Sequence, residues 1–219
     1  MMKGLLIKDF KLLMGQKQFF LTVCGLAVLF SFVNGDPAFA MPYVAIMLCM
    51  FTISTISYDE YDNGGAFLFS LPITRKVYVT EKYLYGFLLC VISFLFTSIV
   101  SCLMMAVKKE WIAGGEFVSI LVVSALFAVL MLGVMIPAQL KFGAEKSRMA
   151  LLGIVMLFYI IIYVVVFLAE RTGIDVERIF AAFSGMEQAV IVVAMCGTSA
   201  VITLISYIIS LRIMEKKEF

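Results

Sequence analysis

The stretch FVSILVVSALFAVLMLGVMIPAQL, residues 117–140, contains no charged side chain. A helix needs about 20 apolar residues to cross the hydrocarbon core of a bilayer, which is about 30 Å thick. The stretch is therefore long enough to span a membrane. The whole chain has the same character, because 63% of its 219 residues are hydrophobic and its mean hydropathy is +1.09. Soluble domains are only about half apolar, so the sequence predicts a membrane protein.

Five further apolar runs are predicted to cross the membrane in the same way. Short polar segments separate the runs, and little chain is left for a soluble domain. We therefore predict an all-α, polytopic membrane protein with a six-helix transmembrane domain at residues 18–211 and a cytoplasmic tail at residues 212–219. The six transmembrane helices are predicted at residues 18–35, 38–58, 83–107, 117–140, 149–169 and 189–211.

Residues 1–17 are predicted to form a separate amphipathic helix that lies on the inner leaflet. Lys8 and Lys11 occupy its polar side, where each lysine adds about 1 kcal/mol of attraction to anionic lipid. Asp9 is an exception, because it falls within the apolar arc. The alternative interpretation is that this segment is only the beginning of the first span. The apolar arc consists of Leu5, Leu6, Phe10, Leu12, Leu13 and Met14.

The distribution of lysine and arginine predicts the orientation of the chain. Of the 17 such residues, 13 lie in residues 1–17, in the second and fourth connecting segments and in the tail. The other four lie in the third and fifth connecting segments. Cytoplasmic segments of membrane proteins carry the excess of positive charge. We therefore expect a multi-pass protein of the cell (plasma) membrane with both termini in the cytoplasm, and no nucleic-acid partner, because the cations form no single basic face.

The residue types that most catalytic sites require are missing. The chain has no histidine and no GxxxxGK[ST] loop that would hold nucleotide phosphates. The predicted spans carry no acidic or basic residue away from their ends, which argues against a secondary transporter. The acidic residues at 59–62 lack the alternating spacing and the closing glutamate of a calcium loop. We therefore expect no catalytic site, no metal site and no cofactor in this chain.

The predicted third, fifth and sixth spans carry hydroxyl groups at helical spacing. Residues four apart lie on one face of a helix. In a membrane such a stripe either packs against other helices through hydrogen bonds or lines a mildly polar path for a substrate. Both interpretations stay open from the sequence. The residues are Ser93, Thr97, Ser101, Tyr159, Tyr163, Ser199, Thr203, Ser206 and Ser210.

The richest polar feature is the segment YDEYDNGGAFLFSLPITRK, residues 58–76. Acidic residues end the second span, and two consecutive glycines loosen the backbone. Residues 66–70 are predicted to form one or two helical turns, which Pro72 ends. Thr74 is predicted to cap the helix that leads into the third span.

Two cytoplasmic segments are predicted to contact another protein. The short helix displays Phe67 and Phe69, which would be exposed to water unless they dock on a partner. The segment PAQLKFGAEKSR, residues 137–148, has a similar order, with a proline near the end of a span, a turn around residues 142–143 and then charged residues.

These two segments, together with EKYLYG at residues 81–86, resemble the cytosolic signatures of ABC-2-type transporter permeases. The chain is most similar to the small six-span permeases of bacterial peptide exporters, such as the phenol-soluble modulin exporters, and its residues 1–17 resemble the elbow helix of these type V exporters. The resemblance covers the whole chain. It implies a permease that pairs with a second copy or a close relative and is driven by a separate ATP-binding cassette ATPase, which would bind ATP and magnesium.

The resemblance also implies which residues contact the ATPase. In such permeases the cytosolic segment after the second span contains a coupling helix that sits in a cleft of the ATPase, and the fourth segment makes a second contact. Carried onto this chain, the coupling residues are Asp59, Glu60, Ala66, Phe67, Leu68, Phe69, Leu71, Pro72, Arg75, Lys141, Phe142, Gly143, Glu145, Lys146 and Arg148.

The leading functional hypothesis is an exporter subunit without enzyme activity of its own that moves amphipathic or hydrophobic peptides, including peptide toxins, out of the cell. Spans without charges suit such peptides, and they suit lipids or drugs equally. Two alternatives therefore stay open: a permease for lipids or drugs, and a non-transporting membrane protein that senses a peptide or confers immunity to it.

Overall fold

The structure is a computed structural model that describes residues 2–34, 37–61, 64–109, 114–172 and 188–217. Nearly every residue in these ranges is helical and none of them is in a strand, which confirms the all-α prediction for this part of the chain. The described helices are α1 (Met2–Gly15), α2 (Lys17–Asn34), α3 (Pro37–Glu60), α4 (Gly64–Ser70), α5 (Arg75–Lys108), α6 (Gly114–Thr172) and α7 (Gln188–Lys216).

Four helical stretches in the described ranges are long and apolar enough to cross a membrane, with mean hydropathies from 1.7 to 2.8. Helices α1 and α2 together are also long and apolar enough, and they would form a fifth span if they cross the membrane as one bent helix. The bend between them is 71°. A multi-pass membrane protein is therefore confirmed, whereas the number of six spans stays a prediction. The four stretches are Ala40–Glu60, Arg75–Lys108, Gly114–Gly143 and Val192–Lys216.

Helix α1 corresponds to the separate helix predicted for residues 1–17. The bend after Gly15 divides it from α2. Its buried residues are Leu5 and Asp9, so one side of α1 packs against the rest of the protein. Its location at the membrane surface stays a prediction.

The core is built around α3 and α5, which contact each other and α1, α2 and α6. One apolar cluster joins these two helices to α6 and α7 through residues such as Ile56, Val79, Ile136 and Met214. A second cluster joins them to α1 and α2. Helices α3 and α5 are also the two helices that precede and follow α4 along the chain.

Gly86 allows the close packing of α5 against its neighbours. A Cβ atom at this position would lie 2.9 Å from Leu132 Cδ2 and 3.4 Å from Thr52 Oγ1. A larger residue would therefore require the Leu132 side chain to move. Small residues at helix crossings in membranes serve this purpose, because they let backbones approach closely.

Helix α4 begins two residues earlier than predicted, at Gly64 instead of Ala66. Gly64 is tightly packed there, because a Cβ atom on it would lie 2.9 Å from the backbone oxygen of Asp59. A larger residue would therefore not fit against the end of α3 without a shift of the backbone. The two glycines were interpreted as a loose hinge, whereas in the structure they belong to the first turn of α4.

The predicted segment between the fourth and fifth spans is reduced to a single non-helical residue. Gly143 has φ 74° and ψ −180°, a conformation that is essentially restricted to glycine. Residues 144–148 are helical, although they were predicted to form a charged connecting segment. Pro137 lies inside the helix and does not end it.

Two helices extend beyond the predicted spans. Helix α5 begins at Arg75, so Lys82 lies within a helix and not in the connecting segment with which it was counted. Helix α7 continues to Lys216, so most of the predicted tail at residues 212–219 is helical. Residues 212–216 contain neither glycine nor proline, and nothing in their composition would end the helix earlier.

Candidate functional site

Local hydrogen bonds define the end of α4 and the start of α5. At the C-terminal end of α4, Ser70 Oγ donates to the backbone oxygen of Phe67 over 2.7 Å. Thr74 then caps α5, because its side-chain oxygen accepts a hydrogen bond of 3.3 Å from the backbone nitrogen of Val77. The predicted cap at Thr74 is confirmed. The exit of the chain from α4 into α5 is therefore fixed by local hydrogen bonds.

The two aromatic residues of α4 have different environments. Phe69 is half-buried, and its ring lies 5.7 Å from the ring of Tyr78 in an edge-on arrangement. Leu68 also packs against the core. Phe67, in contrast, is 71% exposed. One side of α4 is thus anchored to the protein, while the other side presents Phe67 together with the exposed residues Ala66, Leu71 and Pro72.

A buried ionic cluster lies where α1, α3 and α5 meet. It consists of Lys8, Asp9, Asp59, Glu81 and Lys82. Lys82 Nζ lies 2.5 Å from Asp9 Oδ2 and 2.8 Å from Asp59 Oδ2, and the Lys82 side chain is fully buried. Lys8 Nζ contacts Asp59 Oδ1 and lies 3.2 Å from Asp9 Oδ1. The cluster therefore fastens α1 to the helices on both sides of α4.

Neutral groups complete the surroundings of the ionic cluster. The Tyr78 hydroxyl donates to Asp59 Oδ2 over 3.1 Å, and Lys82 Nζ donates to Thr55 Oγ1 over 3.2 Å. Glu81 is also fully buried, with Oε2 3.6 Å from Lys82 Nζ, and no described residue hydrogen-bonds to it. Three carboxylates thus face Lys82. Buried charges are stable only when they are paired, so Lys82 is the residue on which the cluster depends.

Sequence reasoning missed this cluster, although one signal indicated it. Asp9 falls within the apolar arc of α1, and such an arc normally faces the protein interior. An acid in that position needs a buried partner. The sequence does not identify the partner, because Lys82 lies 73 residues away along the chain.

The end of α7 contacts the same region from the other side. Lys217 Nζ lies 2.5 Å from Glu60 Oε1 and donates to the backbone oxygen of Leu140 over 3.0 Å. Arg75 Nη1 donates to the backbone oxygen of Glu215. Glu60 is the last residue of α3 and Arg75 is the first residue of α5, so these contacts lie immediately before and after the α4 segment.

The two predicted contact segments approach each other at Glu60. Its Oε2 atom lies 3.5 Å from the position that a Cβ on Gly143 would take. Phe142 is 44% exposed, and Lys141 Nζ lies 5.2 Å from the centre of its ring. Lys146 is exposed as well. Three further predicted residues have side chains outside the described part of the structure: Glu145, Arg148 and Tyr159.

The hydroxyl groups on α5 lie inside the protein. Ser93, Thr97 and Ser101 are 0%, 1% and 3% exposed. Ser93 Oγ donates to the backbone oxygen of Cys90 over 2.6 Å, and Thr97 Oγ1 donates to that of Ser93 over 2.8 Å. This placement favours helix packing over a substrate path for the α5 stripe.

The hydroxyl groups at the end of α7 connect three helices. The Tyr83 hydroxyl of α5 lies 2.5 Å from Ser206 Oγ and 2.9 Å from Ser210 Oγ. Ser206 Oγ also donates to the backbone oxygen of Gly133 in α6. Hydrogen bonds of this kind hold membrane helices together, so these residues stabilise the packing of α5, α6 and α7.

The remaining hydroxyl residues are more accessible. Ser199 and Thr203 are half-buried, and each donates to a backbone oxygen of α7 itself. Tyr163 is 71% exposed, and its ring stacks on that of Phe167 at 6.3 Å. A substrate path along these residues stays a prediction.

Comparison with known proteins gives one match. A protein-family model described as "ABC-2 family transporter protein" matches residues 4–215. No match was found among curated proteins or among solved structures. The matched range covers nearly the whole chain and includes α4, the buried ionic cluster and the contacts of Glu215. The chain therefore belongs to the ABC-2 family of transporter proteins, and it is a membrane permease subunit of an ABC transporter.

Proposed function

We propose that this chain is the permease of an ABC exporter and that α4 is its docking helix for a separate ATPase subunit. Family membership supports the general role, because ABC-2 permeases are transport subunits that work with an ABC ATPase. ATP and magnesium bind to that partner in this proposal. The permease itself converts the movement of the ATPase into movement of its helices.

The observation that carries the proposal is the exposure of Phe67. A phenylalanine that is 71% exposed on a helix of seven residues makes little contact with the described part of the chain. Buried aromatic anchors commonly dominate protein–protein interfaces. Phe67 with its exposed neighbours Ala66, Leu71 and Pro72 therefore supplies a small apolar docking surface.

The anchoring of α4 suits the transmission of force. Phe69 and Leu68 hold one side of the helix against the core. Ionic contacts at Asp59 hold the end of α3, and the cap at Thr74 holds the start of α5. In this proposal a rigid-body movement of a bound ATPase displaces α3 and α5 through α4.

The orientation follows from the shared location of the charged segments. Contacts of Asp9 with Lys82, and of Lys217 with Glu60, bring α1 and the end of α7 to the end of the bundle that carries α4. Cytoplasmic segments are enriched in lysine and arginine. We therefore propose that this end, with both termini, faces the cytoplasm.

We propose amphipathic or hydrophobic peptides as the cargo and a second permease copy as the partner in the membrane. Spans without charges away from their ends suit such a cargo. Export from proteoliposomes that contain the permease and its ATPase, with a panel of amphipathic peptides, tests this assignment. Export of fluorescent lipids or drugs without any peptide export would replace the peptide assignment.

The docking assignment is tested by Phe67→Asp in complexes of the permease with its partner ABC ATPase. We expect the variant to insert normally and to bind the ATPase about 30-fold more weakly, which corresponds to the about 2 kcal/mol of an interface hot spot. Co-purification and titration of the ATPase in detergent measure this loss.

Two control variants make the test specific. Phe67→Leu keeps an apolar surface and should retain most of the affinity, while Lys109→Asp adds a carboxylate beyond the other end of α5 and should have no effect. Full ATPase binding by Phe67→Asp would refute the docking role of α4. Phe69→Asp is unsuitable as a test, because Phe69 packs against Tyr78 and its loss would disturb the fold.

A further inference from the structure

The end of α7 contacts three points of the chain that are far apart in sequence. Lys217 Nζ binds the carboxylate of Glu60 at 2.5 Å and the backbone oxygen of Leu140 at 3.0 Å. The backbone oxygen of Glu215 accepts a hydrogen bond from Arg75. A single short stretch, residues 215–217, therefore joins α3, α5 and α6 at one end of the bundle.

The contacted points have a common feature, because Glu60 and Arg75 are predicted contacts with the ATPase and Leu140 lies beside another one. Glu60 precedes the α4 segment and Arg75 follows it. Leu140 lies shortly before Gly143, the non-helical residue in α6. Glu60 also approaches Gly143 directly, at 3.5 Å from the position of a Cβ there. Residues 215–217 are thus the place where the two predicted contact segments are connected.

The stretch itself is firmly held. Met214 is 2% exposed and belongs to the same apolar cluster as Leu140. The backbone nitrogen of Lys217 donates to the oxygen of Met214 over 3.4 Å, so Lys217 continues the turn of α7. A contact made from such a helix end can transmit displacement to α7, which a freely moving peptide could not do.

We infer that residues 215–217 form a tail latch that couples the α4 segment to α6 and α7 during transport, with Lys217 as a positioning residue. The latch keeps both ends of the α4 segment in a fixed relation to Gly143. Movement of α4 by the ATPase is then transmitted to α6 and α7 as well as to α3 and α5. The inference rests on the proposed docking role of α4, and Lys217 acts without contacting the ATPase or the cargo.

The exposure of the latch indicates a geometric role, not a large contribution to stability. The Lys217 and Glu60 side chains are 25% and 21% exposed. Partly exposed ion pairs contribute at most about 1 kcal/mol to stability. Loss of the pair should therefore leave the fold intact and change how the helices move together.

The decisive experiment compares Lys217→Gln with Lys216→Gln in proteoliposomes that contain the permease and its ATPase. The measured quantity is the amount of peptide exported per ATP hydrolysed. We expect Lys217→Gln to retain ATPase binding and to lower this ratio about fivefold or more, the lower end of coupling effects between sites. Lys217→Arg keeps the charge and the donors and should restore the ratio. Lys216 is exposed and should be insensitive.

A double-mutant cycle tests whether Lys217 acts through Glu60. Glu60→Gln and Lys217→Gln should each lower the ratio, and the double variant should lose no more than either single variant, because the same contact is removed. Additive losses would overturn the proposal, as would an unchanged ratio in Lys217→Gln.

A second measurement does not depend on the ATPase. Trypsin cleaves after lysine, and Lys76 in the first turn of α5 is exposed. In the permease alone, Lys217→Gln should accelerate cleavage at Lys76, because the contact between Arg75 and Glu215 is weakened along with the latch. If Phe67→Asp leaves the ATPase bound, the docking role of α4 fails. The rate of trypsin cleavage at Lys76 still decides, independently of docking, whether the latch holds the α4 segment. Unchanged cleavage would refute the latch itself.

Discussion

Asp59 and Glu60 are adjacent acidic residues at the end of α3, and they have opposite environments. The Asp59 side chain is 8% exposed and lies between Lys8 and Lys82. The Glu60 side chain is 21% exposed, and its ionic partner among the described residues is Lys217. Successive helical residues point about 100° apart, so Asp59 faces α1 and α5 whereas Glu60 faces α6 and α7.

The difference shows how the same charge can serve stability or movement. Removing one partner of a buried ion pair strongly destabilises the fold, because the remaining charge is left without water or a partner. A partly exposed pair can open, since water replaces the lost contact. The buried ionic cluster therefore contributes strongly to the packing of α1, α3 and α5, while the tail latch contributes little stability and serves to transmit movement.

The largest expected effect is the loss of Lys82. Lys82→Met removes the cation that faces Asp9, Asp59 and Glu81, and we expect a loss of about 3–5 kcal/mol in the free energy of unfolding. Unfolding in mixed detergent micelles measures this value. Lys76→Met serves as the control, because Lys76 is exposed, and it should change stability by less than about 0.5 kcal/mol.

Neutralising the carboxylates tests whether the loss comes from unpaired charge. The combination of Lys82→Met with Asp9→Asn and Asp59→Asn leaves fewer buried charges and should recover much of the stability that Lys82→Met alone has lost. If Lys82→Met alone were as stable as the wild type, the cluster would not be buried in the membrane-embedded protein.

The sequence predicted the features that depend on neighbouring residues. Pro72 and Thr74 indicate where α4 ends and α5 begins, because proline and an N-cap threonine act on the backbone within a turn. The apolar runs indicate membrane spans because each run is a continuous stretch of the sequence. Phe67 and Phe69 were treated alike, although residues two apart on a helix face nearly opposite sides. That distinction was available from the helical period alone.

The features that the sequence did not predict depend on long-range pairing. The partner of Asp9 is Lys82, and the partner of Glu60 is Lys217, which is 157 residues away. Many lysines could have paired with either acid, and only the packing of α1 against α3 and α5, and of α7 against α5 and α6, selects among them. The position of Gly143 was recognised as a turn, but the continuation of helix on both sides of it follows from a backbone conformation that composition does not reveal.

An intermediate effect on the free energy of unfolding is expected at Gly143, which lies next to Glu60. Gly143→Ala forces a residue with a Cβ into φ 74° and ψ −180°, and such strain costs about 1–3 kcal/mol. The added methyl group would meet Glu60 Oε2 at an ordinary contact distance of 3.5 Å, so the cost comes from the backbone. The same unfolding measurement tests this value.

Gly153→Ala is the matched control for Gly143→Ala. Gly153 is helical and nothing lies within 4 Å of a Cβ placed there. Alanine is the better helix former by up to about 1 kcal/mol, so this variant should be neutral or slightly stabilised. If Gly143→Ala were also neutral or stabilised, α6 would be a continuous helix through residue 143. The latch would then have no interruption in α6 to act on.

The smallest effect is the response of the two charged regions to salt. The Debye length falls from about 10 Å at 0.1 M to about 3 Å at 1 M ionic strength, and screening acts mainly on exposed charges. Lys217→Gln should therefore lower the free energy of unfolding by at most about 1 kcal/mol at low salt and by almost nothing at high salt. The loss caused by Lys82→Met should persist at both concentrations, because its surroundings exclude ions. Equal salt dependence of the two variants would contradict the distinction between Asp59 and Glu60, since it would require both pairs to be equally accessible to solvent.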